Sequence, residues 1–397
     1  FMLPYFLLAA GVAVLGFILC EWKKPRYANE IFLSVSSVAM VVFASLRDHT
    51  VGVDYDYTYA PFFQQVCDGG WPFLISDANG YRVEMGYSLL NYLVSLISHD
   101  VRVLMLVIAI VSVTLTAVLL YKYCQIPWLG MTIFILFGFY GNTLSFIRQS
   151  IAIAIFLFAI KYLCAKKMWP SIVPYMIIIL VAASFHKSIL IMVPAYFIAR
   201  LAVNWKWLVV YAAAMVLVMS FSWQLFDFVT GTLGLFSHYA TLEGLYYMNG
   251  RDWNTAVVPV LCGIAAFACS KIILKRNPNA GPLINMSVYS MILFIMTCQH
   301  FLFQRLAMMF FTTTILLIPM LIKCADPDEE KIALIEARIN QSQISEKAKE
   351  KEIAQKKKEL KYYYYDFVAA ALVVGFLYLW WQLSANRIAL VPYVTFL

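Results

Sequence analysis

Arg148 stands at the start of the apolar run 149–164, in the stretch Ser145-Phe146-Ile147-Arg148-Gln149-Ser150. A guanidinium there adds a planar fork of donors to the unpaired backbone N–H groups of a first helical turn, a ready cradle for phosphate. Arg305 opens the run 306–322 in the same way, within Gln299-His300-Phe301-Leu302-Phe303-Gln304-Arg305. Two arginines so placed suit the two phosphates of a diphosphate, and anchoring at the membrane interface is the plainer role for each. His186, in Ser184-Phe185-His186-Lys187-Ser188, lies where two apolar runs meet. It is the best-placed general base, because an unperturbed imidazole titrates near neutral pH and the adjacent Lys187 favours its neutral form; a structural helix-end histidine is the alternative. Glu84 follows Arg82 by two residues and is a second acid or base candidate, or one half of an Arg82–Glu84 ion pair.

A further cluster follows the first pair of apolar runs. The stretch 46–63 reads LRDHTVGVDYDYTYAPFF. Arg47 is a third candidate for diphosphate and Arg251 a fourth. Asp54 is a rival base. Asp54-Tyr55-Asp56 is a DxD pair of the kind that holds a metal in many glycosyltransferases, but two carboxylates alone equally suit pairing with arginine. Asp56, Tyr57, Tyr81 and Arg82 are candidates for seating sugar rings. HExxH, Walker A, GxGxxG and GxSxG are absent from the sequence, and neither a metal nor another cofactor is expected.

The elements that must position these residues are membrane helices. Of the 397 residues 62% are hydrophobic and 13% charged, with a mean hydropathy of +0.76. Apolar runs lie near 3–20, 30–46, 103–121, 128–145, 149–164, 170–185, 188–203, 207–226, 255–273, 283–303, 306–322 and 364–383. Most are long enough to cross about 30 Å of hydrocarbon as helix, and none alternates as barrel strands do. The fold class is an all-α polytopic membrane protein of about 12–13 spans, in one transmembrane domain over 1–397. The first run continues into Glu21-Trp22-Lys23-Lys24 without a small-residue cleavage site, so no cleaved signal is expected. The eight cysteines show no CxxC or metal spacing.

The run 87–98 is short, about 18 Å as helix. If it crossed the membrane, Lys166-Lys167 and Lys275-Arg276 would face outward. If it is re-entrant or interfacial on the outer side, every basic loop falls inside, as lysine and arginine usage predicts. The second arrangement is expected, with both termini outside. Of nineteen lysines only Lys187 then faces outward, but seven of eleven arginines do: Arg47, Arg82, Arg102, Arg148, Arg251, Arg305 and Arg387. An outer face rich in arginine and poor in lysine points to an anionic ligand. The net charge of +8 belongs to inner loops and gives no reason to expect nucleic acid. Two long outer loops, 47–102 and 227–254, are rich in Gly, Asn and aromatics. The segment 325–361 carries nine acidic and nine basic residues and is expected as a cytoplasmic helical insertion, either a hairpin or one long helix.

Several stretches together carry a resemblance: RDHTVGVDYDYTY, YRVEMGYSLL (81–90), LSFIRQSIAIAI (144–155), ASFHKSILIMVP (183–194), QRLAMMF (304–310) and the terminal VPY. In this order they resemble the EpsG/Wzy family of polysaccharide polymerases, which includes O-antigen polymerases. The resemblance implies a GT-C-like glycosyltransferase of the bacterial inner membrane, acting on its outer face. It implies undecaprenyl-diphosphate-linked oligosaccharides as both donor and acceptor, with membrane lipid around them and a chain-length regulator as a protein partner to be considered. It carries onto Arg47, Arg148, His186 and Arg305, with Asp54, Asp56 and Glu84, while 325–361 lies outside the pattern. The expected chemistry is diphosphate binding by Arg148 and Arg305, helped by Arg47 or Arg251, with His186 as base and no metal. An O-antigen ligase or a flippase for lipid-linked sugars would share part of this outer surface.

Overall fold

The computed structural model describes residues 2–75, 83–228, 253–299, 302–326, 329–341 and 345–396. Among these residues the regular elements are helices, and extended pairing is confined to one isolated bridge, Arg47 to Thr395. A helix answers the membrane's demand that every backbone N–H and C=O be bonded within its own segment.

Each of the twelve apolar runs has a helical counterpart, but few are long and unbroken. Four helices have the length and composition to cross a membrane: Leu3–Lys23, Ala28–Ser45, Val101–Tyr123 and Lys347–Ala385. Three bent pairs bring the number to seven: Pro127–Leu136 with Phe139–Ser145, Asn254–Ala268 with Ser270–Arg276, and Phe303–Phe311 with Thr314–Lys323, bent by 54°, 62° and 40°. Met168–Ala183, Lys187–Ile198, Trp205–Ser220 and Gly281–Thr297 are shorter apolar helices. The run 149–164 is shared among Ile147–Phe156, a 3-10 turn and Ile160–Leu163. Composition locates these runs but not the bends inside them; the 54° bend falls at Gly138, whose left-handed backbone (φ +79) ends the first helix of the pair.

Contacts divide the helix ends into two groups. At one end Arg276 bonds the Lys323 carbonyl at 2.8 Å, Arg200 the Leu163 carbonyl at 2.7 Å, and Gln125 reaches Asn277 at 2.7 Å. Glu21 accepts from Trp128 and Tyr364 there. At the other end Glu84 meets Arg148, Gln149 meets the Arg305 backbone, and the C-terminal segment crosses the first loop.

The helix Met85–Ser95 begins and ends at this second end. Gly86 N–H bonds the Ser184 carbonyl at 2.7 Å, and Arg102, just past the helix, lies 5.0 Å from the ring of Phe396. The segment therefore does not cross. Its inner face buries Tyr87, Asn91 and Val94, while Leu89, Leu93, Leu96 and Ile97 are exposed. An apolar outer face on a helix that does not span is the pattern of an element lying along lipid. Tyr87 packs against Tyr59 and Phe62 in a small core of its own, which also takes in Ile147 and Ile151 of the Arg148 helix.

Glu346–Ala385 is one helix of 40 residues, about 60 Å long. Its charged first half pairs with Glu329–Asn340, where Lys357 meets Glu336 at 2.6 Å. The charged insertion is thus a hairpin whose second arm runs unbroken into the last apolar run.

Candidate functional site

Glu84 is the hub of the site. It lies just before Met85–Ser95 and is 8% exposed. One carboxylate oxygen accepts from Arg148 Nη1 at 2.6 Å. The other accepts the backbone N–H of Lys187 at 3.1 Å, with His186 Nδ1 3.6 Å away. Three elements far apart in sequence meet on this one carboxyl group. Gly86 makes the approach feasible: a Cβ there would stand 2.3 Å from Ser184 Oγ and 2.8 Å from the Ser184 carbonyl. Only a residue without a side chain lets this helix start press against the 184–187 turn.

His186 is mostly enclosed. Burial pulls its pKa down to about 4; Glu84 opposes the shift, while Arg148 and Arg305 add to it. The ring is neutral at pH 7, and neither nitrogen has a hydrogen-bond partner among the described residues. Such an imidazole can accept a proton, and the adjacent Glu84 carboxylate would stabilise the cation formed.

Arg305 completes the group. Its guanidinium sits over the ring of Phe146 at 5.3 Å, and its backbone carbonyl accepts Gln149 Nε2 at 2.7 Å. It lines a cavity whose near wall is Phe146, Gln149 and Ser150, the residues around Arg148, and whose far wall includes Asn142, Gln304 and Met308. Asp54 lies within electrostatic reach of both arginines. Burial raises its pKa, and Arg305 and Arg148 act in the opposite direction.

Arg47, Asp56 and Tyr57 make other contacts or stand exposed. Arg47 is 5% exposed. Its guanidinium bonds the Leu144 carbonyl, touches Met105 Sδ at 3.4 Å and faces the ring of Tyr55. It ties the first loop to the end of Phe139–Ser145. Asp56 is exposed and meets His49 Nδ1 at 2.8 Å, whereas Asp54 is partly buried and feels Arg305 and Arg148. Tyr57 is 85% exposed. Tyr81, Arg82 and Arg251 lie outside the described residues. Among the described residues no three His, Cys, Asp or Glu side chains gather as a metal-ligand set.

Two contributors escaped sequence reasoning. Tyr59 is enclosed, and burial pushes its pKa up to about 12 while the nearby Arg148 guanidinium acts in the opposite direction. The Lys187 backbone N–H orients Glu84, a role no side-chain pattern can disclose. The loop bearing Asp54 is held by the C-terminal segment: Gly52 N–H bonds the Ala389 carbonyl, and Ser145 Oγ accepts from Val53 N–H and bonds the Ile388 carbonyl.

Compared with known families, residues 30–336 match the model described as the EpsG family. No curated protein and no solved structure matches the chain.

Proposed function

The chain belongs to the EpsG family, and from that premise we propose that it is a glycosyltransferase that polymerises oligosaccharide repeat units carried on a lipid diphosphate, undecaprenyl diphosphate in bacteria. The observation that carries this reading is the enclosed group of Glu84, Arg148 and His186, with Arg305 and Asp54 within its field. A polar group of this kind at the end of apolar helices suits an amphipathic donor whose reactive bond lies beside an anion.

In the reaction proposed, a hydroxyl of the acceptor unit attacks the anomeric carbon of the growing chain. The new carbon–oxygen bond forms as the bond to the lipid diphosphate breaks, and the bonding pair leaves with the diphosphate. Arg148 and Arg305 counter the charge that develops there; a preplaced cation of this kind stabilises the transition state more than the ground state. The hydroxyl proton passes to His186, and Glu84 stabilises the imidazolium. A bound diphosphate would also raise the low proton affinity of His186, because a nearby negative charge favours the cationic ring. Base and donor would thus become competent together. Glu84 already accepts from Arg148 and Lys187, which fits it better to orientation than to proton removal. The active face is proposed to be the extracytoplasmic side of the inner membrane, opposite the lysine-rich loops.

Purified protein incubated with lipid-linked repeat units alone tests the reading. A ladder of lengthening products is expected. Product formed only after a second acceptor is added would identify a ligase, and transbilayer movement without new bonds a flippase.

A further inference from the structure

A second cavity opens beside the first and shares Asn142, Gln304 and Met308 with it. Its outer wall is the end of the last helix and the segment beyond, with Trp381, Gln382 and Arg387, residues that lie past the family match. Thr255 closes it from another helix and accepts Arg387 Nη1 at 3.2 Å. The indole of Trp381 is stacked on Tyr378, with ring centroids 5.7 Å apart at 12°, and the Arg387 guanidinium lies over it at 5.7 Å.

The polar chemistry of this wall is distinctive. Gln382 Nε2 is buried without a hydrogen-bond partner among the described residues, and so is Gln304 Oε1. One is a donor and the other an acceptor, and a buried group of either kind costs stability until it is paired. No carboxylate lines the cavity. A ligand that both donates and accepts and carries no positive charge satisfies these features. A sugar ring is such a ligand.

We propose that this second cavity binds the terminal sugar of the acceptor unit, with Gln382 and Gln304 bonding its hydroxyls. The inference rests on the polymerase reading for the word acceptor, but the sugar site itself stands on the cavity. Gln304 directly precedes Arg305, so a sugar held here would lie beside the site assigned to the donor diphosphate.

Calorimetric titration tests it, using the oligosaccharide released by mild acid from the host's own lipid-linked pool. The wild-type protein should bind it. Gln382→Leu and Gln304→Leu should each weaken binding about tenfold, the cost of one well-made buried hydrogen bond. Lys24→Ala, at the opposite end of the helices, should leave it unchanged. Thr255→Val, on a separate helix, keeps the test open should either glutamine variant fail to fold. No binding by wild type, or equal binding by the folded variants, overturns the proposal. Weakened binding in a protein that makes no polymer would keep the sugar site and remove the polymerase reading. Polymer growth by Gln382→Leu at the wild-type rate under limiting acceptor would overturn the site and leave that reading intact.

Discussion

Glu84 decides the electrostatics of the site, because a carboxylate 8% exposed is stable there only while its donors hold it. Glu84→Ala leaves Arg148 without its ion-pair partner in a largely enclosed place. Because the Arg148 side chain keeps 23% of its exposure, the loss should be about 2–3 kcal/mol, somewhat below that for a fully buried pair. Unfolding in mixed detergent micelles measures it. His186 makes a separate prediction. Its pKa falls from 6.5 to about 4 on folding, so between those values the unfolded chain holds a proton that the folded chain rejects. Stability should therefore fall as pH drops from 6.5 toward 4 and change little above that window. His186→Gln should flatten that part of the profile, and an equal slope in both proteins would contradict the assignment.

At this scale the sequence was informative about residue type and less so about partners. Arg148, His186 and Arg305 are conspicuous because charge at the edge of an apolar run is expensive. That Glu84 pairs with Arg148, 64 positions away, is a tertiary fact. Arg47 shows the same limit from the other side. It has the same setting in sequence as Arg148, yet its guanidinium is taken by the carbonyl of Leu144.

Among the elements, Met85–Ser95 matters most. Its length, 11 residues, and the parity of the basic loops both mark it as a helix that does not cross. Its approach to the 184–187 turn was not legible, since a glycine in a helical stretch has many explanations. Gly86→Ala should drive the helix start away from Ser184 and separate Glu84 from the Lys187 N–H. A loss of stability of about 1–3 kcal/mol is expected from such overpacking, together with a loss of activity of at least about tenfold from a displaced catalytic group. Adding Ser184→Gly to Gly86→Ala removes the clash with Oγ but not with the carbonyl, so rescue should be partial. Circular dichroism and a polymerisation assay on the two variants measure both effects. Full activity in Gly86→Ala would show that the close approach is dispensable. The bends within apolar runs were hidden for a related reason: hydropathy reports how much apolar surface a stretch has, not where its backbone breaks, as at Gly138.

Across the whole molecule, the lysine-rich loops gather at one end of the helices and the Glu84 group at the other. The account requires opposite sides of the membrane for them. In intact cells a membrane-impermeant thiol reagent should label Thr50→Cys and spare Lys275→Cys, and inverted vesicles should reverse the pattern. Labelling of both positions from one side would break the assignment of faces.

The most direct test of the central claim is chain growth on a lipid-linked repeat unit by folded Arg148→Lys, Arg305→Lys and His186→Gln proteins. If the arginines hold a leaving diphosphate and the histidine takes the acceptor proton, each rate should fall by about a hundredfold or more. Growth within twofold of wild type in all three would contradict the account.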